Sequence, residues 1–134
     1  MKFITYTDGG ARGNPGPAAI GVVVKDAASG TNIEAFGRYI GETTNNQAEY
    51  QALVAALETA IKHGATEVAC FLDSELIVKQ MHREYRVRDV NLQPHFLKIW
   101  NMAASLKKCT FTHIPREKNK EADAQVNKAL DAQR

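Results

Sequence analysis

The sequence predicts a single α/β domain built on a mixed sheet that starts antiparallel and continues through parallel crossovers. Three observations carry that prediction. Three strand-like runs precede any helical pattern, helical and strand-like segments alternate afterwards, and 134 residues suit one domain (residues 1–134) with a real core. Hydrophobic residues at 44% and charged residues at 24% are ordinary for a globular chain.

Residues 2–7 read as a strand, with Ile4-Thr5-Tyr6-Thr7 alternating apolar and polar side chains as a half-buried strand should. Asp8 comes next, followed by Gly9-Gly10-Ala11-Arg12-Gly13-Asn14-Pro15-Gly16-Pro17, a run expected to stop the strand. Residues 18–26 and 31–40 read as a second and a third strand, and the short Ala27-Ala28-Ser29-Gly30 link between them reads as a hairpin. Residues 45–64 form the clearest helix. Ala48, Leu53, Ala56, Leu57, Ala60 and Ile61 recur at helical spacing, with Gly64 where a C-terminal cap belongs. Residues 67–73 form a buried strand ending in Asp73, and residues 75–81 a short helix. A helix over 94–108 starts at Pro94, a fifth strand covers 109–114, and a last helix covers 118–130. Repeats, linkers and low-complexity segments are absent from the sequence.

The composition narrows the function classes. No apolar run approaches the ~18 residues a membrane span requires. The N-terminus enters a strand without a secretory signal pattern, so a cytoplasmic protein is expected. Cys70 and Cys109 lie in apolar strand runs without metal-ligand spacing and are expected to be buried free thiols. A net charge of +2 does not by itself indicate nucleic acid. Lys79, Arg83, Arg86 and Arg88, interleaved with His82 and Tyr85, fit phosphate contacts and a solvated helix end equally well.

Four carboxylates attract more notice. Asp8 and Asp73 each follow a strand, and ligands of open α/β sheets collect beyond the carboxyl ends of strands. If strands one and four are parallel neighbours, about 4.8 Å apart, these two acids crowd together. Glu49 and Asp123 sit near helix starts. Glu49 could close a capping box on Asn46, and Asp123 could complement a helix dipole. Pointed at one rim, however, all four would repel: two like charges 4 Å apart cost about 4 kcal/mol at an effective dielectric of 20. A hard cation relieves that repulsion, and oxygen ligands without cysteine or a compelling histidine suit Mg²⁺ or Mn²⁺. Two such ions about 3.5–4 Å apart are common machinery for in-line displacement at phosphorus.

In order and spacing, "YTDGGARGNPGPAAIGVVV", "TTNNQAEYQAL", "LDSELIVKQ" and "REKNKEADAQVNKAL" resemble the successive motifs of type 1 ribonuclease H, over essentially the whole chain. The resemblance implies a ribonuclease H-like fold: a five-stranded mixed sheet, its first three strands antiparallel, flanked by helices. It implies an endonuclease that cuts the RNA strand of RNA/DNA hybrids to 5′-phosphate and 3′-hydroxyl ends, with two divalent ions, Mg²⁺ or Mn²⁺, held by Asp8, Glu49, Asp73 and Asp123. It also implies hybrid contacts at Gly9, Asn14, Thr44, Asn45, Asn46 and Gln47, on the minor groove where a 2′-hydroxyl can be sensed. The bare backbone around Gly9, Gly10 and Gly13 would let a duplex lie close above Asp8.

The chain departs from the common pattern twice. Residues 82–93 form a short connector in place of a basic helical protrusion, and no histidine occupies the loop before Asp123. That combination resembles a short subgroup without the loop histidine. His113 belongs to the preceding strand, which leaves Arg116 as an electrostatic substitute, and either Asp89 or Asn91 could align with a phosphate-contacting asparagine. A non-catalytic hybrid-binding module of the same fold is the alternative, and the four acids argue against it. A resolvase or retroviral-type polymerase domain fits the intact "TTNNQAE" poorly. Nothing in the sequence calls for a protein partner or a membrane, and a monomer is expected.

Overall fold

In the computed structural model, which describes residues 1–133, five strands form one sheet. β1 (Lys2–Ala11), β2 (Gly16–Asp26) and β3 (Asn32–Thr43) pair antiparallel in succession. β4 (Glu67–Leu72) lies parallel to β1, and β5 (Lys108–His113) lies parallel to β4. The spatial order is β3-β2-β1-β4-β5, so the two strands that lead to Asp8 and Asp73 are central neighbours. Four helices complete the fold. α1 (Asn45–Lys62) joins β3 to β4, α2 (Glu75–Met81) and α3 (Gln93–Ser105) join β4 to β5, and α4 (Lys120–Asp131) follows β5.

The helices divide between the faces because strand side chains alternate. Phe3, Ile20, Val22, Val24, Val68 and Leu72 form one core with Tyr50, Leu53 and Leu57 of α1. Each large apolar side chain buried there contributes roughly 1.5–3 kcal/mol. The other face is thinner, and Ala19 packs there with Val126 and Leu130 of α4. Among the described residues no helix is long and apolar enough to cross a membrane.

Several boundaries differ from expectation for identifiable reasons. β1 continues through the glycines to Ala11, because β2 keeps pairing with it (Gly9↔Ile20, Gly10↔Ala19, Ala11↔Ala18) after β4 has ended. α3 ends at Ser105 rather than 108, since Lys107 N–H already donates to Thr66 and Lys108 pairs with Glu67. A 3-10 turn at Arg116–Lys118 and a capping Asn119 delay α4 to Lys120. The cap of α1 is Thr44, whose hydroxyl accepts from Gln47 N–H at 3.2 Å, so no capping box joins Asn46 to Glu49. Cys70 is buried, but Cys109 is only half-buried, and both are free thiols.

Candidate active site

The acids meet where the β1–β4 ladder stops. Thr7↔Leu72 is its last pair, so Asp8 and Asp73 are the next residues on adjacent parallel strands. Asp8 is therefore not at a strand end. It lies in the stretch of β1 that has lost its neighbour on one side while still pairing with Gly21 on the other.

Two glycines bring helices to this point. A Cβ on Gly9 would lie 2.2 Å from the Ala48 carbonyl carbon, so only glycine lets β1 pass beneath the first turn of α1. Glu49 then reaches over the strand, and its Oε1 accepts from Gly9 N–H at 2.6 Å. On the opposite face, a Cβ on Gly21 would lie 2.1 Å from the carbonyl oxygen of Ala122. α4 can rest directly on β2 there, which delivers Asp123 beside Asp8. Gly9, expected to thin the surface for an incoming duplex, thus admits a helix of the protein itself.

One carboxylate oxygen from each of Asp8, Glu49 and Asp73 lies within 4.8 Å of the others. Asp123 stands outside that group of three but within hydrogen-bonding reach of Asp8. Its own oxygens are approached by Asn127 Nδ2 at 3.4 Å and, more distantly, by the Arg116 guanidinium at 3.9 Å. Burial, then the charge of Asp73 and a hydrogen bond with Asp123, push the Asp8 carboxyl up from 3.8 to about 7. Burial, then the charges of Asp8 and Asp73, hold Glu49 well above the usual carboxylate range despite the Gly9 N–H. These acids are crowded enough that the protein alone favours keeping protons on them. A cation among them would reverse that preference.

The residues expected to meet a hybrid form a rim beside the cluster. Asn14 Oδ1 accepts from Asn45 N–H at 3.0 Å, and Asn45 Oδ1 accepts from Ala11 N–H at 2.8 Å. The Asn14 oxygen ties the 12–15 loop to the start of α1, the Asn45 oxygen ties α1 to the end of β1, and each Nδ2 has no protein partner among the described residues. Asn46 is exposed and makes no side-chain hydrogen bond there. Gln47 is committed inside the protein: its Nε2 donates to the Asn91 carbonyl at 2.9 Å, and its Oε1 pairs with His95 Nε2 at 2.9 Å. Asp89 accepts from Asn91 N–H at 2.8 Å in the same turn. His113 is an exposed residue of β5, and Arg116 is exposed at the edge of the acids.

One contributor escaped sequence reasoning. Asn119, buried at 1% exposure, donates from Nδ2 to the Thr7 carbonyl at 2.8 Å and to Asp73 Oδ2 at 3.1 Å. The only sequence signal was a cap-forming residue type one position before α4.

A central parallel pair in a β3-β2-β1-β4-β5 sheet, with carboxylates converging where that pair ends, defines a ribonuclease H-like protein with an acidic, oxygen-ligand centre. The profile of the family described as "Reverse transcriptase-like" matches residues 6–129. A ribonuclease HI of Halobacterium salinarum is 41% identical over 126 residues, covering 94% of this chain and 63% of that protein. A crystal structure of ribonuclease H1 from the same organism superposes with a TM-score of 0.94 at 39% identity, over 98% of this chain and 99% of the other. A Mycobacterium tuberculosis protein named as bifunctional is 40% identical over 98% of this chain, which spans only 36% of its length. A compost-derived ribonuclease H1, LC11, solved in complex with an RNA/DNA hybrid, is 48% identical with a TM-score of 0.91, over 98% of each chain. The chain belongs to the type 1 ribonuclease H family.

Proposed function

We propose that the chain is a metal-dependent endonuclease that hydrolyses the RNA strand of RNA/DNA hybrids, leaving 5′-phosphate and 3′-hydroxyl ends. The observation that carries this reading is the convergence of Asp8, Glu49 and Asp73 within 4.8 Å, with burial and mutual repulsion raising the first two carboxyls. Support also comes from the relatives, two of which are a ribonuclease HI and a ribonuclease H1 bound to an RNA/DNA hybrid.

The donor set fits a hard divalent cation: it is all carboxylate oxygen, without sulfur or imidazole. Asp8, Glu49 and Asp73 would hold Mg²⁺ or Mn²⁺, with Asp123 completing a site for two ions. When bound, such ions stabilise the attacking and leaving oxygens of an in-line displacement at phosphorus. The chain's own tasks are then binding and orientation. The Nδ2 groups of Asn14, Asn45 and Asn46 donate toward minor-groove acceptors, with Gly9 and Thr44 giving close backbone approach. Gln47 braces the start of α3 beneath them. Arg116, 3.9 Å from Asp123, acts electrostatically at the rim in place of a histidine. The chain works as a monomer, in the cytoplasm, and belongs to the short subgroup without the basic protrusion or the loop histidine.

The test is cleavage of end-labelled RNA/DNA, RNA/RNA and DNA/DNA duplexes side by side, with Mg²⁺ and with Mn²⁺. Internal cuts in the RNA of the hybrid, absent in EDTA, are expected. Hybrid binding without cleavage in either metal would instead identify a non-catalytic hybrid-binding module.

A further inference from the structure

We infer that Asn119 is a positioning residue that sets the orientation of the Asp73 carboxylate through one amide group shared between that carboxylate and the backbone of β1. The inference rests on the metal-dependent reading above and extends it to a residue outside the four acids.

Asn119 Nδ2 has two hydrogens, and the structure uses both. One bond, at 2.8 Å, goes to the carbonyl of Thr7, the residue before Asp8. The other, at 3.1 Å, goes to Asp73 Oδ2. The backbone carbonyl of Asn119 accepts from Asp123 N–H at 3.1 Å. A single buried residue thus touches β1 beside the first acid, the second acid itself, and the helix turn that carries a third. Among the described residues no other protein donor bonds the Asp73 carboxylate. That bond holds one of the two oxygens of a carboxylate that takes part in the cluster. Partners of this kind fix the direction of a ligating carboxylate.

A purely structural tether would not need this arrangement. The bond to Thr7 alone would anchor the start of α4. Instead Asn119 Oδ1 is buried without a partner, although an unsatisfied buried acceptor is unfavourable. The amide is turned to present both donors to the Thr7 carbonyl and Asp73 at the expense of its own oxygen.

The test compares Asn119→Ala with wild type by calorimetric titration of Mn²⁺ well below the melting temperature. Val126→Ala serves as the control, because Val126 is buried in the contact of α4 with the sheet, in an apolar cluster with Ala19 and Leu130. Mn²⁺ affinity should fall about tenfold or more in Asn119→Ala, the usual cost of losing a partner behind a metal ligand. The Mn²⁺ concentration for half-maximal cleavage should rise in parallel, while the hybrid KM at saturating metal stays unchanged. Val126→Ala should lower the melting temperature and leave Mn²⁺ affinity as in wild type. Wild-type affinity in a folded Asn119→Ala protein overturns the inference, as does an equal loss in Val126→Ala. If Asn119→Ala does not fold, Asn119→Ser carries the same comparison, because its single hydroxyl donor cannot serve both acceptors. A wild-type protein that binds Mn²⁺ but does not cleave hybrids defeats the nuclease reading alone and leaves the titration valid.

Discussion

The acid edge and the segment joining α2 to α3 are built on opposite terms. At the edge, each carboxylate comes from a different element, and three of them are pinned by specific donors: Gly9 N–H on Glu49, Asn119 on Asp73, Asn127 on Asp123. The connector is nearly all exposed, and it includes Arg83 with φ at +63°. Its Arg83 guanidinium lies 5.5 Å from the centroid of Trp100. Lys79, at the end of α2, lies 5.1 Å from the centroid of Tyr85 and also pairs with Glu75 at 3.4 Å. The difference separates two kinds of sensitivity. Chemistry at phosphorus depends on placement within fractions of an ångström, so single atoms should matter at the edge. Attraction to a polyanion is long-ranged and additive, so the connector should tolerate change and lose affinity in small steps.

The sharpest way to break that contrast is to remove one acid. Asp8→Asn and Asp73→Asn should each reduce hybrid cleavage by about a thousandfold or more, since losing charge stabilisation at the reacting phosphorus costs several kcal/mol. Circular dichroism should remain that of wild type, because neither side chain belongs to the apolar cores. Turnover within tenfold of wild type would place that residue outside the chemistry.

The same substitution should act in the opposite direction on stability. The Asp8 carboxyl sits at about 7 in the folded protein and near its ordinary value of 3.8 when unfolded. Below about pH 4 both states hold the proton, and the group contributes no penalty. Between 4 and 7 the unfolded chain releases it while the folded chain retains it, so stability falls as pH rises; above 7 the full penalty applies. Asp8→Asn removes this group, so in EDTA at pH 8 it should melt above wild type. The gain should be on the order of 2 kcal/mol, or roughly 5–10 °C. The difference should shrink toward pH 4, and Mg²⁺ should stabilise wild type more than the variant. A variant that melts well below wild type at pH 8 in EDTA would show that Asp8 supports the local structure of β1 rather than straining it.

The sequence showed most of the frame for a physical reason. The helical spacing of Ala48, Leu53, Ala56, Leu57 and Ala60 records burial directly. The alternation of residues 4–7 gives the strand period but not its buried face, because Thr5 and Thr7 are buried and Ile4 and Tyr6 only half-buried. The four acids stood out because clustered carboxylates are costly and local structure did not need them all. What stayed hidden were features set by the partner element rather than by the residue. Gly9 and Gly10 looked like a stop, and only β2 beside them shows why the strand continues. Gly21 lies inside the second strand-like run, and only α4 resting on it shows why a glycine is needed there. Asn119 reaches across 112 residues to Thr7, and no local pattern encodes such a bond. Gln47 matched a substrate-contacting motif position, and the bonds from its amide to the Asn91 carbonyl and to His95 are likewise invisible in the sequence.

Between the two regimes stands the asparagine rim, where Asn46 and Asn14 should separate. Asn46→Ala removes an exposed amide without protein hydrogen bonds, so its whole effect should appear in hybrid binding. A loss of about three- to tenfold is expected, the worth of one neutral hydrogen bond. Asn14→Ala should lose a similar amount and also lower the melting temperature, because Asn14 Oδ1 holds Asn45 N–H. Filter binding in Ca²⁺, with melts alongside, checks both. Unchanged hybrid affinity in Asn46→Ala would return that residue to the solvated surface.

The smallest expected effect lies in the connector, and it sharpens the comparison most cleanly. Arg86 and Arg88 are exposed, and their guanidinium groups have no protein partner among the described residues, whereas Arg83 is drawn to Trp100. If the connector attracts the hybrid by charge alone, neutralising Arg86 or Arg88 should weaken binding only a few-fold. Each should also flatten the dependence of log K on log salt, by nearly one unit for every phosphate that is no longer neutralised. Arg83→Gln should do the same and in addition loosen the packing around Trp100, visible as a change in indole fluorescence. The maximal rate at saturating hybrid should not move in any of the three, because none touches the acids. A salt slope equal to wild type in all three variants would make the basic run a solvated surface. A fall in maximal rate would mean that the connector also places the substrate, and the division between placement and attraction would not hold.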